Sequence, residues 1–99
     1  RVLSGGYAEY SFNVPESGNY YIWGRVLSPN EGANSFYISV DNGGDVGWHL
    51  PIFTNWNWDE AVSVYFAAGQ HTITIKPREW QTQLDKILIT NDPDYVPNG

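Results

Sequence analysis

Trp48-His-Leu-Pro-Ile-Phe-Thr-Asn-Trp-Asn-Trp-Asp-Glu60 gathers three of the chain's five tryptophans around one proline, and the reading of this stretch decides the fold. In a strand, side chains two apart share a face. Trp56 and Trp58 therefore project the same way if the strand already runs there, and Val62, Val64 and Phe66 continue that face. Trp58 is thereby expected in the core. Trp56 stands among Asn55, Asn57 and Pro51, a turn-rich setting that weakens the strand and turns the indole out at the strand's start. Trp48 reads either as core or as an exposed ring. An exposed indole offers a platform to a flat apolar ligand face.

Upstream, Ala8, Tyr10, Phe12 and Val14 alternate with Tyr7, Glu9, Ser11 and Asn13, the period of a half-buried strand, closed by the turn Pro15-Glu-Ser-Gly18. A second strand runs from Tyr20 to about Leu27. Tyr20, Ile22, Gly24 and Val26 share one face, while Tyr21, Trp23 and Arg25 share the other. That outer face is either covered by a loop or terminal segment, or carries Arg25 as a cation over Trp23. Ser28 to Asn34 reads as loop, Ser35 to Asp41 as the third strand with Phe36, Ile38 and Val40 inward, and Asp41-Asn-Gly-Gly-Asp45 as a turn. The aspartates of that turn lack the spacing of an EF-hand calcium loop.

Downstream, Trp58 to Phe66 is the fourth strand and Gln70 to Lys76 the fifth, with His71, Ile73 and Ile75 on the apolar side. A histidine there is expected as a hydrogen-bonded core residue. Pro77 to Gln83 reads as loop, Leu84 to Thr90 as the sixth strand, and the proline-bearing tail as unpaired. No segment has a helical period. Six short strands separated by Gly, Pro and Asn predict an all-β sandwich.

Ninety-nine residues make one domain near the lower end of what folds on a single core. Residues 1–99 are read as that domain, with Arg1-Val-Leu-Ser-Gly-Gly opening like an excised part of a larger protein. An aromatic share of 16% exceeds what a small core needs and points to a binding surface. Eleven acidic against five basic residues, a net charge of -6, argue against nucleic acid and anionic membrane, whose phosphates require clustered Lys and Arg. The absence of cysteine removes disulfides, thiolate metal sites and cysteine nucleophiles.

Phosphate loops, a nucleophile elbow and His-Glu-x-x-His are missing, and His49 and His71 suggest no nucleophile–base pair. Glu60 and Glu79 are the candidates for a glycosidase pair, but a sandwich this small has little room for the cleft. The chain is read as a non-enzyme. Trp80 stands between Glu79 and Gln81 in a polar loop with no apolar neighbour, so its exposure is expected. Sugar rings present C–H patches to aromatic faces and hydroxyls to amides, carboxylates and guanidinium groups. Trp56, Trp80, Trp48, Arg78, Glu79, Gln81 and Asn55 hold that inventory.

Three blocks carry a family resemblance. Val14-Pro-Glu-Ser-Gly-Asn-Tyr-Tyr-Ile-Trp-Gly-Arg-Val26 resembles a VP-x-x-G-x-Y strand, and Phe66-Ala-Ala-Gly-Gln-His-Thr-Ile-Thr-Ile75 an L-x-AG-x-H-T-L hairpin. Arg78-Glu79 with Leu84-Asp-Lys-Ile-Leu-Ile-Thr-Asn-Asp92 is similar to an RE…LDKI-x-IT-x-D closing strand. Together they resemble carbohydrate-binding modules of the galactose-binding-like jelly-roll group that includes families 6 and 35. The resemblance implies a jelly roll with its ligand in the loops at one end, held by a tryptophan near Trp56 and a polar residue near Gln81. The family's asparagine in that loop is not evident, and Trp80 stands there instead. It also implies a structural calcium held through Asp85, attachment to a polysaccharide-degrading enzyme, and a secreted or cell-surface location. The alternative function is a structural or adhesive β-domain of a cell-surface protein.

Overall fold

A computed structural model describes residues 7–30, 35–77 and 82–97. Its strands are β1 (Ala8–Val14), β2 (Gly18–Ser28), β3 (Ser35–Val40), β4 (Val46–His49), β5 (Phe53–Phe66), β6 (Gly69–Pro77) and β7 (Gln83–Thr90). They form a four-stranded sheet in the order β1-β6-β3-β4 and a three-stranded sheet in the order β5-β2-β7. All pairings are antiparallel. The two sheets enclose Ile22, Val26, Phe36, Ile38, Phe66, Ile73, Ile75 and Leu84, each at most 2% exposed. The all-β sandwich read from the alternation is the architecture observed.

β4 was not legible as a strand. It has four residues, Val-Gly-Trp-His, too few for an alternating apolar run, and it exists through pairing of Phe36 with Trp48 and Ile38 with Val46. β5 begins at Phe53, five residues before the expected start at Trp58. The buried Ser28 holds it there, its hydroxyl donating to the Pro51 carbonyl (2.6 Å) and accepting from the Phe53 N–H (3.0 Å). One side chain at the end of β2 thus satisfies a backbone acceptor and a backbone donor at the entrance to β5.

The sheets differ in regularity. β1–β6, β3–β6 and β3–β4 pair in constant register. β2 shifts register against β5 between Ile22 and Trp23 and again between Val26 and Ser28, and against β7 between Arg25 and Val26. Each extra residue in a bulge reverses which face the following side chains occupy. Ile22 pairs with Val62, but Trp23 pairs with Glu60, so Ala61 is the inserted residue. Val62 and Val64 face the core, whereas Trp58, opposite Arg25, faces outward. The expected core position of Trp58 is corrected by this bulge: the period of two was broken between the residues it was meant to connect.

Candidate functional site

Each sheet presents an outer face built from the side chains that alternate away from the core. On the three-stranded sheet, cross-strand rows run Glu60–Trp23–Leu88 and Trp58–Arg25–Lys86. The Arg25 guanidinium lies 5.6 Å from the centroid of the Trp56 ring, and Lys86 Nζ lies 5.8 Å from that of Trp58. Arg25 covers Trp56 because their strands adjoin at the β5 entrance, and it donates to Asp85 Oδ2 at 3.0 Å. The face is a half-buried indole surface with its cations stacked on it. The indole N–H groups of Trp23 and Trp58 are buried with no hydrogen-bond partner among the described residues.

The outer face of the four-stranded sheet is chemically different. Its rows run Ser11–Thr72 and Glu9–Thr74–Ser39, followed by Lys76–Tyr37. Thr74 and Ser39 are 8% and 6% exposed although they point away from the core, because they floor a groove of about 270 Å³. Tyr7, Glu9, Asn42, Gly43 and Lys76 form its walls. The Tyr7 side chain is 63% exposed, and Lys76 donates to both Asp45 oxygens at 3.2 Å. The groove approaches the size of small-molecule sites, about 300–1,000 Å³, with hydroxyls beneath and a phenol ring beside it. Sequence reasoning missed it because its residues lie on four segments and only cross-strand register assembles them. The outward alternation of Glu9 and Thr74 was the available signal.

The asparagine-flanked Trp56 is half-buried and Asn55 is exposed, both at the start of β5. Gln83, the first residue of β7, pairs with Leu27, and the adjacent Ser28 pairs with Phe53, so the β6–β7 connection rejoins the sandwich beside this entrance. Arg78, Glu79, Trp80 and Gln81 lie outside the described residues. Trp48 is 2% exposed, its ring tilted against Phe36 at 5.3 Å and its indole N–H donating to Asp59 Oδ2 at 2.8 Å. It offers no free ring, and its expected share in ligand binding is corrected to a core role. A Cβ at Gly24 would collide with Trp48 Cη2, so the glycine makes room for that indole. Burial pushes the Asp59 carboxyl above its ordinary 3.8, with the Trp48 hydrogen bond acting against the shift.

Asp85 accepts from Arg25, and among the described residues no three His, Asp or Glu side chains converge as a metal cluster. A cation already occupies reach of the one carboxylate implied for calcium. A calcium cage takes about six to eight oxygens, and the side-chain carboxylates of the described residues bring together no cluster of three toward one.

No protein-family model matches the sequence, and no curated protein matches it. Solved structures do. A family 6 carbohydrate-binding module from Cellvibrio mixtus lichenase 5A, in complex with cellotriose, superposes with a TM-score of 0.71 at 26% identity, covering 92% of this chain and 74% of that one. The fold is that of a carbohydrate-binding module. A family 35 module from Clostridium thermocellum superposes with a TM-score of 0.71 at 23% identity over 88% of this chain and 71% of that one. A ruminal GH26 endo-β-1,4-mannanase gives 0.75 at 23% identity over 94% of this chain, which spans 20% of the mannanase. The fold thus matches both separately solved modules and a part of a larger glycan-degrading enzyme.

Proposed function

We propose that this chain is a non-catalytic carbohydrate-binding module that takes a polysaccharide along the groove of its four-stranded sheet. The observation that carries the reading is the groove itself: two sunken hydroxyls, Ser39 and Thr74, beneath an exposed Tyr7 ring. Hydroxyls that donate and accept suit sugar hydroxyls, and the phenol face suits a pyranose C–H patch. Lys76 is matched by Asp45, so the groove offers no unopposed cation and the ligand is a neutral glycan. Affinity then holds nearly constant between low and high salt, because stacking and neutral hydrogen bonds are little screened.

The β5 entrance supports a second contact region. Trp56 and Asn55 stand beside the point where the β6–β7 connection returns, and Arg78, Glu79, Trp80 and Gln81 of that connection complete the inventory. In the parent protein the module targets an attached glycan-degrading enzyme and is secreted or displayed at the cell surface, without nucleic acid or membrane as partner. A structural calcium would need ligands beyond the described residues. Melting curves with calcium and with chelator test it, and coincident curves would remove it.

Isothermal titration with neutral oligosaccharides, cellotriose first, tests the central reading. Tyr7→Ala should weaken binding about two- to tenfold, the worth of one stacking contact of ~0.5–1.5 kcal/mol. A domain that binds no glycan on an array, with Tyr7→Ala unchanged in every assay, would leave the adhesive alternative standing.

A further inference from the structure

The groove has one wall made by a turn, and that turn is held by a histidine. Asp41 and Asn42 adopt φ of 50° and 61°, and the Gly43 N–H donates to the Val40 carbonyl at 2.9 Å. Two successive left-handed residues closed in this way have the φ signature of a type I′ turn, a conformation that aspartate and asparagine tolerate better than other side chains. Asn42 and Gly43 line the groove. Asp41 does not line it; its carboxylate anchors the turn instead. Oδ1 accepts from the Thr72 N–H at 2.8 Å, and Oδ2 lies 2.6 Å from His71 Nδ1.

The other nitrogen of the same ring, His71 Nε2, lies 2.6 Å from the Ala67 carbonyl oxygen. Both partners are oxygens that only accept: an ionised carboxylate and a peptide carbonyl. A neutral imidazole carries one N–H and one lone pair, so it satisfies one contact and sets a lone pair against an oxygen in the other. Only the doubly protonated imidazolium makes both bonds. The geometry points to His71 as a proton-operated tie that joins the β3–β4 turn to the β5–β6 turn and braces the Asn42–Gly43 wall of the groove.

The surroundings of the ring leave Asp41 as its one charged partner among the described residues. From β1 it meets Phe12, at 6.3 Å between centroids, and from β5 it meets Phe66 at 4.5 Å. The β5–β6 turn contributes only the Ala67 carbonyl, and the β3–β4 turn contributes Asp41. The bond to Asp41, then that to Ala67, hold the imidazolium above its ordinary 6.5. When the proton leaves, the carboxylate favours the tautomer with hydrogen on Nδ1. The Ala67 contact is lost, and the Asp41 bond loses its cationic donor and becomes a neutral N–H on an ionised carboxylate. Both turns are loosened by one event. That the event is felt as binding rests on the groove being the sugar site, while the tie itself does not.

Nitrogen NMR of the uniformly labelled chain reads the tie directly. At pH below 6.5, both His71 ring nitrogens should show protonated shifts with no neutral tautomer. As pH rises, the amides of Asn42, Gly43 and Ala68 should move with the His71 midpoint. Asp41→Asn keeps an acceptor for Thr72 N–H and tolerates the left-handed turn, and it should draw that midpoint down toward 6.5 with the three amides following. Cellotriose affinity should fall about threefold or more through the same midpoint. A neutral His71 at acidic pH, or Asn42 and Gly43 amides that ignore its titration, overturns the tie. If the amides follow but cellotriose binds at no pH, the tie stands and the groove reading fails.

Discussion

The two sheets of this sandwich carry the same kind of alternating sequence, yet they differ in how far that alternation predicts which side chains face out. In the four-stranded sheet the register is constant, so Ala8, Phe12, Ile73 and Ile75 point inward as their spacing requires and Glu9, Ser11, Thr72 and Thr74 point outward. In the three-stranded sheet β2 is out of step with both neighbours, and the outer face carries Trp58, which spacing assigned to the core, beside Trp23. The regular sheet supports a groove floored by hydroxyls. The shifted one supports an indole surface covered by cations. A polar face with an open groove suits a hydrated ligand, and the half-buried indoles of the other are partly shielded by Arg25 and Lys86.

The largest effect that separates the sheets lies in two tryptophans ten residues apart. Trp48→Ala removes a ring enclosed between the sheets and should cost about 3–5 kcal/mol, also leaving the half-buried Asp59 without its donor. Trp58→Ala removes a half-buried ring from the outer face and should cost no more than about 2 kcal/mol. Urea melts of the two variants measure the difference. Equal losses would place Trp58 in the core after all and remove the bulge at Ala61 from the explanation.

Gly24→Ala comes next. The added methyl meets Trp48 across the core, and overpacking of this kind costs about 1–3 kcal/mol. Combined with Trp48→Ala, the penalty should shrink, because the atom it collides with is gone. Additive losses in that double-mutant cycle would mean that the two residues do not meet.

The smallest effect is the pH dependence of the regular sheet's far end. His71 has a folded pKa raised above 6.5, so its contribution is complete below 6.5 and is lost as pH rises through the folded value. For Asp41, desolvation pushes the carboxyl up, but the hydrogen bonds from His71 and Thr72 outweigh it and hold the group below 3.8. Its contribution is complete above 3.8 and is lost as pH falls through the folded value. Both are present between 3.8 and 6.5. The melting temperature of the wild type, measured against that of a His71→Gln variant, should show its greatest advantage in this window and lose it on the alkaline side. A constant difference across pH would assign the variant's loss to packing against Phe12 and Phe66.

How far the sequence could be read follows from the same contrast. Alternation located six strands because each has enough residues to show a period, and it placed His71 on the apolar side as a hydrogen-bonded residue. It passed over β4, whose four residues gain strand geometry from β3 rather than from their own pattern. It misplaced Trp58 because a bulge is a property of paired strands, invisible in one of them. Of the candidate site residues, Trp56 was expected to turn out at the strand's start, and it stands half-buried beside Arg25 near the start of β5. Trp48 stayed open between core and exposed ring, since its burial depends on the absent side chain of Gly24. The groove of Tyr7, Ser39 and Thr74 required the register of three strands, which no single stretch contains.

The most direct measurement is a map of amide and side-chain NMR shifts as a neutral oligosaccharide, cellotriose, is added to the labelled chain. If the glycan lies along the four-stranded sheet, the residues that move are Tyr7, Glu9, Ser39, Asn42, Thr74 and Lys76, while Trp23, Trp58 and Leu88 stay still. Shifts confined to the indole face, or to the β5 entrance around Asn55 and Trp56 with the groove unmoved, would contradict it.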